Sequence, residues 1–545
     1  LESLSGMEDS RLNYIEQHAA SFGQGASDKL EAMRLRAAKS SPMGETLDLL
    51  MAHIDEDVMK ELVSTMNSVL RTGVGLNTRA GAGRFLQRLC MRRGRLVRPH
   101  AATLFKMLLA SAVNDASAAV RTSFISAIAA IARYAEEPGV NALAQEIARL
   151  FKSDTETERA VAAQLALELS RNAPDALSPQ KTLVLPLAFV GSYDSIDAGK
   201  KKWSEVWEEN SGGVSASLRV YFDEILAITF EYLAAKQWQR KKQGAEVFAA
   251  ISRASADVIA TRADDVMTRL LAELPGRIWE GKTSVLDAVA ALTSACPRQI
   301  DATAVVDALL TESQRAKTDY RKSALDAVDA VLVAIASTES DIDTEIIAKV
   351  VPVVECALKA APAPVDDIDS GVGAAGSLER QNEAKYEAEK RQKSQSMTAT
   401  AATTVLATVL NRFKSLDAIR PHASLCAELC VASLDAELSK DRRRQGLKAV
   451  VGLMRIVRDS KEFVASFAVE PLLEVVVAAA GDSSSTALRL DAIEALLALA
   501  SHTPVKSAVE DALKQCVTND KSPDVVRSAM RARAELTGGT VPMTA

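Results

Sequence analysis

Aromatic side chains are scarce in this sequence. Phe, Trp and Tyr make up 4% of its 545 residues, and Ala, Leu and Val carry most of the apolar load. A β-sandwich would be enriched in aromatic and β-branched residues, so this balance points to closely packed helices. Long apolar runs are missing as well. LLEVVVAAAG at 472–481, among the longest, falls well short of the ~20 residues a membrane span needs, and no direct membrane insertion is expected. The six cysteines (Cys90, Cys296, Cys356, Cys426, Cys430 and Cys516) sit at apolar positions with no CxxC. Free buried thiols in a reducing, intracellular compartment are the simplest expectation. A positive charge excess is lacking: the net charge is −6, whereas nucleic-acid modules are usually basic, so no nucleic-acid partner is expected. An initiator Met is missing too. The chain therefore reads as a piece of a longer protein, and the lack of a targeting segment carries no weight.

What the sequence does have is helical periodicity. In 120–134, Val120, Phe124, Ile125, Ile128 and Ile131 form an apolar stripe at i, i+4 and i+7 spacing. Similar stripes occur at 45–70, 101–113, 218–233, 245–259, 285–295, 324–336, 447–457 and 488–500. Many of these helices carry a basic residue just inside their start: Arg79, Arg121, Arg159, Lys242, Lys282, Lys322, Arg444, Arg489 and Arg527. The recurrence is about every 40 residues or a multiple of it, the period of HEAT and armadillo repeats. The Asp115…Arg121 spacing is the usual HEAT pattern, with the Asp capping N–H groups at a helix start and the Arg bridging to a neighbouring repeat. The expected fold is all-α, a HEAT/armadillo-type α-solenoid superhelix of about a dozen helix pairs, because no pair buries its own apolar face alone.

The organisation expected along the chain starts with residues 1–27 as the irregular N-terminal end of a truncated chain. HEAT repeats follow over 28–190, then a loop insertion with a short helix over 191–215. Repeats resume over 216–360, a flexible charged insertion spans 361–396, and repeats with a C-terminal cap fill 397–537. Residues 538–545 are expected as a disordered tail.

Several motifs invite a chemical reading. GRIWEGKT (276–283) matches the phosphate-cradling pattern G-x-x-x-x-G-K-T letter for letter. Its upstream ADDVMTRLLAELP is an amphipathic helix ended by Pro275 rather than a strand, and Lys282 falls in step with Lys242 and Lys322, so it reads as a repeat position. His422, Cys426 and Cys430 are spaced four apart. The outer two lie ~12 Å from each other on a helix, too far to share metal bonds of about 2 Å, so core thiols are expected and no metal. Arg84, Arg88, Arg92 and Arg95 recur on one helical face, with Arg93 beside them. They read either as a solvated or internally paired face or as a docking patch for an acidic partner, guanidinium forks being suited to carboxylates. Trp203 and Trp207, one helical turn apart, either plug an irregular helix pair onto the stack or serve as exposed anchors for a partner. No catalytic grouping and no cofactor site is found.

Several blocks also carry a family resemblance. SPMGETLDLL (41–50), RTGVGLNTRAG (71–81), VLPLAFVG (184–191), WSEVWEEN, RVYFDEILAITFEYL, QWQRKKQGAEVFAAI and LPGRIWEGKTSVLDAVAALTSAC resemble, in order, blocks of the large HEAT-repeat proteasome adaptor and scaffold protein family, in its C-terminal third. The resemblance is strongest over about 40–300 and weaker beyond. It implies a non-catalytic scaffold that binds the proteasome, bridging or stabilising its regulatory and core particles and linking it to other proteins, in cytoplasm and nucleus. The alternative is a HEAT-repeat transport receptor or phosphatase-type scaffold with other protein partners.

Overall fold

The computed structural model describes residues 46, 49–72, 75–336, 343–359, 376–413, 416–458, 468–501 and 505–537. The end segments 1–27 and 538–545 and the first part of 361–396 lie outside the described residues. Those described form an all-α solenoid with no strand among them. The chain divides into two units, 1–247 and 248–545.

The first unit holds α1 (Glu56–Thr72), α2 (Leu76–Val97), α3 (Ala101–Asn114), α4 (Ala118–Ala132), α5 (Glu137–Phe151), α6 (Glu156–Asn172), α7 (Lys181–Gly191), α8 (Asp197–Asn210), α9 (Val214–Leu233) and most of α10 (Trp238–Ala254). Each odd helix pairs with the even helix after it. Even helices stack on even helices (α2 on α4, α4 on α6, α6 on α8), and odd on odd. The result is two parallel layers with an apolar seam between them. Into that seam α4 turns the stripe expected from its sequence: Val120, Phe124, Ile125, Ile128 and Ile131 are all at most 1% exposed.

The second unit repeats the scheme with α11 (Ala263–Ala272), α12 (Thr283–Ala295), α13 (Ala302–Ser313), α14 (Thr318–Ile335), α15 (Asp343–Lys359), α16 (Gly376–Arg412), α17 (Ala423–Ala432), α18 (Lys440–Arg458), α19 (Glu470–Ala480), α20 (Thr486–Leu499), α21 (Lys506–Asn519) and α22 (Pro523–Thr537). Again the even helices α12 to α22 stack in order. Two stretches were expected to break the period, 191–215 as a loop insertion with a short helix and 361–396 as a flexible charged insertion. Within 191–215, α8 is a helix of 14 residues that packs on α6 and α7. Within 361–396, residues 376–396 are the first half of α16, which is 37 residues long.

The turns hold the stack in register. Asp115 Oδ1 accepts from the Ser117 N–H two residues on (2.9 Å), and Ser117 Oγ then caps α4 by accepting from Val120 N–H. Asp482 with Ser484, and Asp520 with Ser522, repeat the Asp turn at 2.8 Å. The aspartate thus closes the turn, and a serine caps the helix. The other Asp oxygen takes an arginine from the preceding repeat: Arg79 on Asp115 (2.7 Å), Arg443 on Asp482 (2.5 Å) and Arg489 on Asp520 (2.7 Å). The basic position also ties back the preceding helix end. Arg121 donates to Asp115 O, Arg159 to Ser153 O and Arg489 to Asp482 O, each at 2.9 Å. Not every expected position joins this ladder. Lys242 and Lys322 pair with Glu246 and Asp326 inside their own helices, Arg527 with Asp524 in its own. Arg240, which reaches Asp154, and Arg321, which reaches Ser313 O, take the place of those lysines.

Adjacent even helices cross closely where a glycine lets them. A Cβ on Gly83 of α2 would lie 2.7 Å from Ser123 O of α4, and one on Gly452 of α18 would lie 2.8 Å from Leu410 O of α16. Beside each crossing a side-chain amide donates to the neighbouring backbone: Gln87 to Ser123 O, and Asn411 to Lys448 O. The clashing atoms are backbone, so a substituent cannot be relieved by a rotamer change. Gly452→Val is expected to destabilise the second unit by about 3 kcal/mol or more, measured by urea unfolding. Gly139→Ala, whose added Cβ meets only Phe105 at 4.0 Å, should be neutral or stabilise by about 0.5–1 kcal/mol.

Candidate functional site

The GRIWEGKT segment has no vacant ammonium to offer a phosphate. Gly276 and Gly281 take positive φ (88° and 91°) and carry the chain from the end of α11 to Lys282, which stands at the start of α12. Lys282 is 0% exposed. Its Nζ donates to Leu274 O, at the end of the preceding helix, and to Glu312 Oε2 at 3.1 Å. Glu312, 1% exposed, also accepts from Tyr320 OH (2.8 Å) and from Arg315 (2.7 Å). Burial pushes its carboxyl up, but the bonds from Arg315, Tyr320 and Lys282 outweigh that and hold it below the usual carboxylate range. Lys282 performs the repeat's own task of tying down a helix end. Glu312 is the partner that sequence reading missed, because a glutamate on α13 gives no local sign of a lysine 30 residues away.

The arginine stripe is broken by a kink. Arg93 leaves helical geometry (φ −136°, ψ 34°), so Arg84, Arg88 and Arg92 share a face and Arg95 lies beyond the bend. Arg93 donates to Ala52 O. Arg84 is half-buried, and burial, followed by the charge of Arg88, weakens its hold on its proton. Arg92, Arg93 and Arg95 are exposed, next to Met91, which is 68% exposed. This end of α2 therefore presents cationic forks around one apolar side chain.

Trp203 and Trp207 are core residues, 1% and 5% exposed, and the reading of them as exposed anchors is corrected here. Trp203 meets the Phe151 ring edge-on at 5.4 Å, and Trp207 meets Phe189 at 4.9 Å. With Val206 they form the buried face of α8, which is how an otherwise charged helix joins the stack. Cys426 and Cys430 are buried in α17, where burial pushes the Cys426 thiol up to about 12 and Cys430 well above its ordinary value. His422 precedes them in a single 3₁₀ turn. Among the described residues no group of three metal-ligating side chains forms, and no helix is long and apolar enough to cross a membrane.

Comparison with known proteins gives matches at both ends of the chain. The family described as proteasome adapter and scaffold protein ECM29, HEAT-repeat domain, matches residues 1–152, and the one described as ECM29, C-terminal ARM-like repeats, matches 298–535. The second match lies largely where the sequence blocks resemble the family less strongly. Among curated relatives, the proteasome adapter and scaffold protein ECM29 of Homo sapiens is 30% identical over 347 residues, which is 61% of this chain and 19% of that protein. The proteasome component ecm29 of Schizosaccharomyces pombe is 26% identical, over 61% of this chain and 20% of that protein. The chain thus spans about a fifth of the length of the curated relatives it matches. Solved structures similar to it include importin beta, 12% identical with a TM-score of 0.43 over 98% of this chain and 70% of that one. Kap95p with RanGDP is 14% identical with a TM-score of 0.45 over 99% of this chain and 70% of that one. At these scores they say nothing of partners.

Proposed function

Because the chain belongs to the ECM29 family of proteasome adapter and scaffold proteins, we propose that it is a segment of a non-catalytic scaffold that binds the proteasome in cytoplasm and nucleus. The finer reading is that it helps hold the regulatory particle to the core particle and links both to other proteins. The observation that carries it is the pair of family matches at the two ends of the chain. The solenoid supports it physically. Stacked pairs expose a long run of side chains for many modest contacts, and the one nucleotide-like motif is consumed by Glu312 and Leu274 O. The docking patch proposed is the exposed end of α2, with Arg92 and Arg95 around Met91. Its arginines can fork onto carboxylates of an acidic partner surface.

Isolation of assembled proteasomes through a tagged core-particle subunit, at low salt and with ATP, tests this. The full-length protein carrying this segment should be recovered. Arg92→Glu/Arg95→Glu should lower its recovery by about tenfold, in line with loss of close charge pairs. Failure to recover the unaltered protein overturns the proteasome reading. Recovery that ignores the double reversal overturns the patch alone.

A further inference from the structure

α16 is twice as long as its neighbours. At 1.5 Å per residue its 37 residues run for about 55 Å, against roughly 27 Å for the 18 of α14. Among the described side chains, its hydrogen bonds to α14 begin at Ser394. Ser394 Oγ donates to Asp319 Oδ1 (2.5 Å), Thr398 Oγ1 to Thr318 O (3.2 Å) and Thr408 Oγ1 to Asp329 Oδ1 (2.5 Å). Since α14 starts at Thr318, the part of α16 before Ser394 runs on past the start of the helix it packs against.

That overhang and the turn between α13 and α14 enclose an open groove of about 760 Å³, with Lys317 and Asp319 on one wall and Tyr386, Lys390, Lys393 and Met397 on the other. Two properties set it apart. Tyr386 is 69% exposed and Met397 44%, and Tyr386 is the one exposed aromatic side chain among the described residues. The charges are also unevenly satisfied. Asp319 takes Ser394, and Glu387 takes Arg391 at 3.4 Å, whereas the exposed ammonium groups of Lys317, Lys390 and Lys393 meet no carboxylate among the described residues.

We propose that this groove docks an acidic segment of a partner protein, with an apolar side chain of that segment seated against Tyr386 and Met397. Tyrosine and methionine suit such a seat: one is a rigid amphipathic surface, the other adapts its shape. Three ammonium groups on flexible stems accept carboxylates without demanding one geometry. A nucleic acid fits less well. Its charges come every ~1.7 Å along a duplex, and Asp319 and Glu387, interspersed among the cations, would face some of them. The site is independent of the α2 patch and of which assembly the chain serves.

Fluorescence anisotropy with the full chain tests it, using a labelled peptide of repeated Glu-Glu-Leu. Binding should be in the micromolar range and weaken as salt screens the charges. Lys390→Glu/Lys393→Glu should weaken it about tenfold and Tyr386→Ala about threefold, while Lys236→Glu/Lys521→Glu, exposed lysines elsewhere, should change it less than about twofold. All three variants alter exposed side chains only. A Gln-Gln-Leu peptide that binds as tightly, a groove reversal without effect, or an oligothymidine that binds more tightly and loses affinity with the same reversal would each overturn the proposal.

Discussion

Replacing Trp203 with alanine is expected to cost about 3–5 kcal/mol, the range for truncating a fully buried large aromatic residue. The indole sits where four helices meet. It touches Phe151 at the end of α5, and Phe151 in turn stacks on Tyr232 of α9 at 5.9 Å. On the other side α7 ends in Gly191, whose missing Cβ would stand 2.5 Å from the indole. Alanine there removes edge-to-face contact, buried area and the piece that seats α8. Urea unfolding of the first unit, followed by helical circular dichroism, measures the loss. Trp203→Phe should recover part of it. An exposed partner anchor would behave in the opposite way, leaving the unfolding curve in place and reducing only binding.

Lys282→Met should cost about 3 kcal/mol, because it takes the fully buried partner from buried Glu312 and leaves the half-exposed Arg315 as the one cation beside it among the described residues. The arithmetic favours the pair over either member alone. Lys282→Met/Glu312→Leu should be less destabilised than Lys282→Met, since neither charge is then stranded. ATP should shift the melting of the unaltered chain by nothing measurable, whereas a ligand at a hundred times its Kd would add about 2.7 kcal/mol. Two paired carboxylates set an acid limit. Glu312 and Asp482 are both held below the usual carboxylate range; for Asp482 the causes are Ser484 and then Arg443. A carboxylate with a lowered folded pKa contributes its full stability above its unfolded value. That contribution is lost as pH falls through the folded value. Stability should therefore hold above about pH 5 and decline below it, a decline that Glu312→Gln should lessen.

The helices themselves were legible because burial on one side imposes a 3.6-residue period on the apolar residues, as the α4 stripe illustrates. The turn pattern was legible for the same kind of reason, since Asp115…Arg121 answers to a fixed local geometry. Which basic residue makes the ladder was not. In QRKK and YRKS, neighbouring cations stand about 100° apart around the helix, and a period of about forty residues has more slack than that. Hence Arg240 and Arg321 act where Lys242 and Lys322 were expected. Helix α8 was legible as a short helix, but its Lys and Glu residues and the flanking Gly191, Gly212 and Gly213 made its setting read as a loop insertion. Only Trp203, Val206 and Trp207, at i, i+3 and i+4, betray its buried side. The kink at Arg93 and the Lys282–Glu312 pair depend on partners far along the chain, which spacing does not encode. For the candidate surface, sequence named the α2 arginines and the tryptophans together, and only burial separated them. The groove at α16 needed coordinates, because its walls, one a turn and the other a helix, lie about 70 residues apart in the chain.

The central claim is that each helix pair leans on pairs close to it along the chain, as α5 leans on α7 and, through Phe151, on α9, and that no single core is shared by all of them. Hydrogen exchange on the Trp203→Ala and Lys282→Met variants, compared with the unaltered chain, tests it most directly. The account predicts lost protection in α5 to α9 for the first variant and in α11 to α14 for the second, with α18 to α22 protected as before in both. Uniform loss of protection along the whole chain from either single change would contradict it, since that is how one shared core would respond.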